Sequence, residues 1–173
     1  MPGELFAVGI SGSPRVPSKS KTLAERALSE LESLGCRTEL VDVATLPAEA
    51  LVVREESTEV AEAIEEVGRA GIVIAASPTY RALYTGVLKC FFDLMPQEHL
   101  AGKLCVGLQT GIAPQHALAA EYGFRPLFAS LEGVPLSVLY AVDSDFLDGE
   151  PSAALVGRVR GAMQGAVSAA RSR

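Results

Sequence analysis

Residues 71–76 read Gly-Ile-Val-Ile-Ala-Ala, apolar at every position rather than at every second one. A strand with one wet face alternates. A strand without alternation has to be covered on both faces, which is the condition of a central strand in a parallel sheet. Leu5 to Ile10 and Lys103 to Leu108 show the same character, Thr38 to Val43 alternates, and Leu136 to Val142 supplies a fifth strand. Amphipathic segments lie between and after them. The first spans Ser20 to Leu34, with Leu23, Ala27, Leu28, Leu31 and Leu34 at helical spacing and Gly35 as its stop. Others are expected over Thr58 to Ala70 (Val60, Ala63, Ile64 and Val67 inward), Gly86 to Met95, Pro114 to Leu131 and Ala153 to Ala170. Pro126 should kink or break the fourth, because it lacks a backbone donor. Ala44 to Ser57 reads as irregular and Asp143 to Pro151 as a polar linker. Strand and helix alternate throughout, so the expectation is one doubly wound α/β domain over 1–173, with a five-stranded parallel sheet and helices on both faces.

Composition excludes several function classes. With 49% hydrophobic and 21% charged residues, the 173-residue chain is a globular one with ample material for a core. A net charge of -6 argues against nucleic acid or an anionic membrane surface as partner. No apolar run is long enough to span a bilayer. The start, MPGELFAV, has no basic region followed by a cleavage site, so cytoplasmic residence is expected. Cys36, Cys90 and Cys105 form no Cys-x-x-Cys pair, and Cys90 and Cys105 read as buried filler. His99 and His116 lack metal-ligand spacing, so no metal centre is expected.

The first strand runs into Ser11-Gly12-Ser13-Pro14-Arg15, then Ser18 and Ser20, and then the first helix. The opening N–H groups of a helix have no intrahelical partner and carry partial positive charge, so an anion fits there. The hydroxyls and the Arg15 guanidinium add donors suited to phosphate oxygens. This is not the triphosphate loop, because Pro17 stands five residues after Gly12 where a second Gly should be; nor is it the dinucleotide fingerprint, whose third glycine is missing. A loop rich in Ser and Thr suits a terminal phosphate monoester. The same residues also fit a βα turn with an ordinary Ser N-cap.

Two more loops follow strand ends: Ser77 to Gly86 and Gln109 to Ala113. Together the three resemble the NADPH-dependent FMN reductase family of flavodoxin-like proteins. Gly12-Ser13-Pro14-Arg15 with Ser18 and Ser20 is similar to that family's phosphate loop; Ser77-Pro78-Thr79-Tyr80 with Gly86, Leu88 and Lys89 is similar to its second flavin loop. The resemblance implies strand order 2-1-3-4-5, FMN as cofactor and NADPH or NADH as reductant. It implies a phosphate site of Ser11, Ser13, Arg15, Ser18 and Ser20. Pro78, Thr79 and Tyr80 would line the isoalloxazine, and Thr110 and Gly111 would face its pyrimidine edge. Arg81 is a further candidate, for nicotinamide nucleotide phosphates, and reads equally as a solvated surface residue. Thr110-Gly111 to His116, Glu121-Tyr122 and Arg125-Pro126-Leu127 resemble the subgroup that supplies reduced FMN to alkanesulfonate monooxygenases. There a Tyr matching Tyr122 goes with a one-residue π-bulge and a subunit interface; the alternative is a packing aromatic in a kinked helix.

Hydride transfer from nicotinamide to flavin needs orientation and electrostatics more than side-chain acid–base work, so no general base is assigned. His116 reads as structural. With no separate dinucleotide fingerprint, NAD(P)H would use an open face of the same pocket. The expected activity is an NAD(P)H:FMN reductase serving a flavin-dependent monooxygenase. Alternatives are a quinone, azo or metal-oxyanion reductase with tightly held FMN, and a flavodoxin-type carrier. A homodimer or homotetramer is expected, with Leu88, Phe91, Phe92 and Leu94 of the third helical segment offering surplus apolar surface; the alternative is a helix buried all round.

Overall fold

The computed structural model describes residues 4–173; the N-terminal reading rests partly on residues 1–3, which lie outside them. Five parallel strands form one sheet in the order β2-β1-β3-β4-β5: β1 Phe6–Ser11, β2 Arg37–Asp42, β3 Ile72–Pro78, β4 Leu104–Gly111 and β5 Val134–Val142. This is the flavodoxin-like order. The helices are α1 Lys19–Ser33, a short α2 Ala48–Leu51, α3 Thr58–Arg69, α4 Gly86–Asp93, α5 Ala117–Ala129 and α6 Ala153–Arg171. Strand alternation sorts the core into two layers. Val8, Ile10, Val73, Ala75 and Cys105 face the α3, α4 and α5 side, where Phe91, Phe124 and Phe128 are fully buried. Ala7, Ile74, Val106 and Leu108 face α1 and α6. Burying each such aromatic contributes about 1.5–3 kcal/mol.

Gly35 ends α1 in a left-handed conformation (φ 81°). Its N–H donates to Glu32 O and that of Cys36 to Leu31 O, a Schellman closure. Several expectations need correcting. Residues 44–57 are not wholly irregular: a 3₁₀ turn (Val43–Thr45) and α2 bury Val43 and Leu51 under the sheet. The stretch read as a polar linker holds a 3₁₀ turn (Asp143–Asp145) and a small antiparallel hairpin, β6 Phe146–Leu147 with β7 Glu150–Pro151. Pro126 does not break α5, which runs on to Ala129, and Ser130 N–H donates to Pro126 O. Pro126 stands in the last turn of α5 and is exposed, so it interrupts one backbone bond near the helix end rather than the helix. Cys90 is half-buried rather than buried. Of the apolar surface expected around α4, Leu88, Phe91 and Phe92 are buried within the chain, and Leu94 at its C-cap is half-buried.

Strands β3 and β4 run further than their apolar runs suggest. Ser77 pairs with Gln109, Pro78 with Thr110, and Gly111 with Val142. Residues read as loops are therefore strand ends, held by the ladder at the carboxyl edge of the sheet.

Candidate functional site

A cavity of about 750 Å³ opens at that carboxyl edge, a size within the usual range for small-molecule sites. Its first wall is the β1–α1 loop. Gly12 N–H donates to Ala76 O (2.8 Å), which ties the loop to β3. Gly12 has no room for a side chain, since a Cβ would sit 2.5 Å from Leu88 Cβ. Thr85 fastens this loop to the next one. Its hydroxyl donates to Gly12 O (2.5 Å) and accepts from Leu88 N–H (3.1 Å) at the start of α4, while its own N–H donates to Ser77 Oγ (2.9 Å). Ser18 is the N-cap of α1, accepting from Lys21 N–H (3.2 Å), with its Oγ 3.0 Å from Ser20 Oγ. The N–H groups of Lys19 and Ser20 precede the first intrahelical bond and sit on the cavity wall. Ser13 Oγ accepts from Arg15 N–H (3.2 Å) and shapes the turn.

The second wall is a two-residue hairpin turn. Tyr80 N–H donates to Leu83 O (2.9 Å), and Arg81 and Ala82 between them both have positive φ (51° and 71°). Tyr80 and Arg81 are thereby presented at the mouth, with the Arg15 guanidinium 5.7 Å from the Tyr80 ring centroid. Thr79 N–H donates to Thr110 O (2.7 Å), and Gln109 Nε2 donates to Thr79 Oγ1 (2.8 Å). The Tyr140 hydroxyl, donating to Ala113 O (3.0 Å), closes over Gly111 so tightly that a Cβ there would overlap it.

Ser13, Arg15, Ser18 and Ser20 line one side of the cavity, Pro78, Thr79, Tyr80 and Arg81 another, and Thr110 and Gly111 the floor. Ser11 does not line it; it ends β1, buried, its hydroxyl without a partner among the described residues. Tyr122 lies outside it too, on α5, 73% exposed, so it is not a packing aromatic. α5 is regular α-helix through Tyr122, with no π turn among the described residues.

Lys19, Ile112, His116, Asp143 and Gly149 also line the cavity and were missed as site residues, whereas Thr22, one of the hydroxyls expected to serve the phosphate, lines it too. Lys19 and Thr22 belong to the first turn of a helix already singled out. Asp143 and Gly149 follow β5, and the available signal was topological: in a parallel sheet the fifth strand must end at the same edge as the other four. Lys19 Nζ lies 3.0 Å from Asp143 Oδ1, and Lys21 Nζ donates to Asp42 Oδ2 (2.7 Å), which raises the Lys21 pKa. Among the described residues Arg15 and Arg81 have no carboxylate partner. The arrangement has the chemistry of an anion subsite beside a mostly apolar wall that carries a few hydroxyls. Two buried polar atoms without partners, Ser11 Oγ and Gln109 Oε1, lie at the ends of β1 and β4, beside that edge. No group of three or more His, Cys, Asp or Glu among the described residues is placed to hold a metal, and no helix is long and apolar enough to cross a membrane.

Comparison with known proteins gives a consistent picture. The family model described as NADPH-dependent FMN reductase matches residues 7–147. The chain is 33% identical over 143 residues to the "FMN reductase (NADPH)" of Escherichia coli K12, covering 82% of this chain and 75% of that protein. It is 32% identical over 170 residues to the "NADH-dependent FMN reductase SfnE" of Pseudomonas putida, covering 94% and 91%. Among solved structures, the apo form of an NADH:FMN oxidoreductase, EmoB, superposes with a TM-score of 0.89 at 32% identity, covering 95% of this chain and 89% of that one.

Proposed function

The chain belongs to the NADPH-dependent FMN reductase family, and on that premise we propose that the cavity at the carboxyl edge holds FMN and admits NAD(P)H. The protein is an oxidoreductase of the NAD(P)H:FMN type. The observation that carries the site assignment is the donor set of the first wall: the free N–H groups at the α1 N-terminus and an Arg15 without a carboxylate partner, with the hydroxyls of Ser13, Ser18 and Ser20 beside them. Such a set fits a phosphate monoester.

FMN bound there would supply the redox chemistry, taking a hydride from nicotinamide C4 at its N5. The chain's residues bind and orient. Pro78, Thr79 and Tyr80 flank the cavity, and Thr110 and Gly111 form its floor. Arg81, raised on the hairpin tip at the open mouth, faces incoming phosphates of the nicotinamide nucleotide. No side chain has to accept a proton for the hydride to pass, and orientation does most of the work.

The flavin is a substrate in this reading, released reduced to a partner monooxygenase. Two observations support it. Tyr80 is the one Phe, Tyr or Trp among the lining residues, so the wall holds no pair of such rings to sandwich a flavin. The relatives' names give FMN as what is reduced. Exposed Leu118 and Tyr122 stand four residues apart on one face of α5, and Leu83 packs beside them at Gly123. We assign this apolar face to a second copy of the chain, as a homodimer or homotetramer. Tyr122→Ala should then lower the mass measured by light scattering.

The test is NADPH and NADH oxidation followed while free FMN is titrated. The purified protein should be colourless, with a rate that saturates at roughly micromolar FMN. A yellow protein whose rate ignores added FMN but rises with quinone would overturn the substrate reading.

A further inference from the structure

Gln109 is fully buried at the end of β4, and neither its chain neighbours nor the fold explains a polar side chain there. Its Nε2 donates to Thr79 Oγ1 (2.8 Å), and its Oε1 is buried without a partner among the described residues. A buried amide satisfied at one end costs stability, and an apolar side chain of equal length would fill the same place without that cost. What the amide achieves lies at Thr79. The Thr79 N–H is committed to Thr110 O (2.7 Å). Gln109 occupies one lone pair of the Thr79 hydroxyl. The hydroxyl proton is then directed away from Gln109, and Thr79 lines the cavity. A hydroxyl otherwise rotates to serve as donor or acceptor; this one is held as a donor.

Resting on the reading of the cavity as a flavin site, we propose that Gln109 is a positioning residue that sets the Thr79 hydroxyl as a fixed hydrogen-bond donor to an acceptor atom of the oxidised flavin ring. Gln109 itself does not line the cavity and touches the flavin only through Thr79. The anion subsite holds the phosphate end, and the Gln109–Thr79 pair selects the ring. Preorganisation of this kind raises affinity by removing an ordering cost at binding.

The experiment uses the flavin-free protein and equilibrium quenching of flavin fluorescence. Gln109→Met, close in length and without the amide, should melt no lower than the parent, yet bind FMN a few-fold more weakly, the ordering cost that a freely rotating Thr79 hydroxyl then meets at binding. Riboflavin, which lacks the phosphate, should weaken by the same factor. Thr79→Val should weaken both ligands similarly, Thr79→Ser should bind as the parent does, and Gln109→Met with Thr79→Val should bind no more weakly than Thr79→Val alone. The bound-flavin absorption band should shift alike in Gln109→Met and Thr79→Val. Unchanged affinity in Gln109→Met, or losses that multiply in the double variant, would overturn the inference while leaving the flavin site standing. If Gln109→Met does not fold, Thr79→Val binding as tightly as Thr79→Ser overturns it equally. A parent chain that binds neither FMN nor riboflavin overturns the site assignment and this inference with it.

Discussion

The two edges of the sheet have the same construction and opposite chemistry. Parallel strands with antiparallel helices put helix C-termini at the amino edge and helix N-termini at the carboxyl edge. At the amino edge the chain meets its own free carbonyls. Lys103 Nζ donates to Gly68 O (2.6 Å) in the last turn of α3 and to Ala70 O (2.9 Å) just past it, and Arg171 donates to Leu34 O (2.9 Å) just past α1. At the carboxyl edge donors are left over: the N–H groups of Lys19 and Ser20, and the guanidinium groups of Arg15 and Arg81. The lesson is that a ligand site shows as an incomplete hydrogen-bond account, on a scaffold whose other edge shows how the account closes.

The sharpest way to break that contrast is to exchange damage between the edges. Lys103→Met removes a charged donor from two carbonyls and should cost about 2 kcal/mol in urea unfolding, with KM for FMN unchanged. Burial depresses the Lys103 pKa, because the charged form is partly desolvated, so part of the gain from its bonds is already spent. Arg15→Ala should do the reverse: unchanged unfolding, and an FMN Kd raised about 10-fold, equivalent to ~1.4 kcal/mol. Ser18→Ala should fall between, costing about 1 kcal/mol as a lost N-cap and weakening FMN a few-fold, since Ser18 serves both the helix and the cavity. The smallest effect belongs to the α1–α6 contact, away from both edges. Hydrogen bonds from Arg160 and then Arg26 hold the Glu30 carboxyl below its usual pKa. Its contribution should be fully present above about pH 4.5 and lost as pH falls through the lowered folded value. With both arginines partly exposed, that contribution is at most ~1 kcal/mol. Acid titration of the parent against Glu30→Gln should show the stability difference at neutral pH and its disappearance in acid.

Much of this was legible from residues alone, for physical reasons. Ile72–Ala76 could only be a strand covered on both sides, and Ser18 with Ser20 before an amphipathic run could only mark a helix start or a site built on one. The later elements were harder to read. Asp143 and Gly149 reach the cavity because β5 ends beside β4, which no local pattern encodes. Gln109 sits in a polar triplet that reads as a turn until the pairing with Ser77 makes it strand. The apolar face expected of α4 is taken up by the chain's own core, whereas Leu118 and Tyr122, in a helix that proline seemed to interrupt, are the exposed pair.

The most direct measurement is the quenching of FMN fluorescence by the parent protein, Arg15→Ala and Lys103→Met, titrated side by side. If the carboxyl edge is the flavin site, the parent and Lys103→Met bind alike and Arg15→Ala binds about 10-fold more weakly. Equal affinity in the parent and Arg15→Ala, or a loss confined to Lys103→Met, would contradict the assignment.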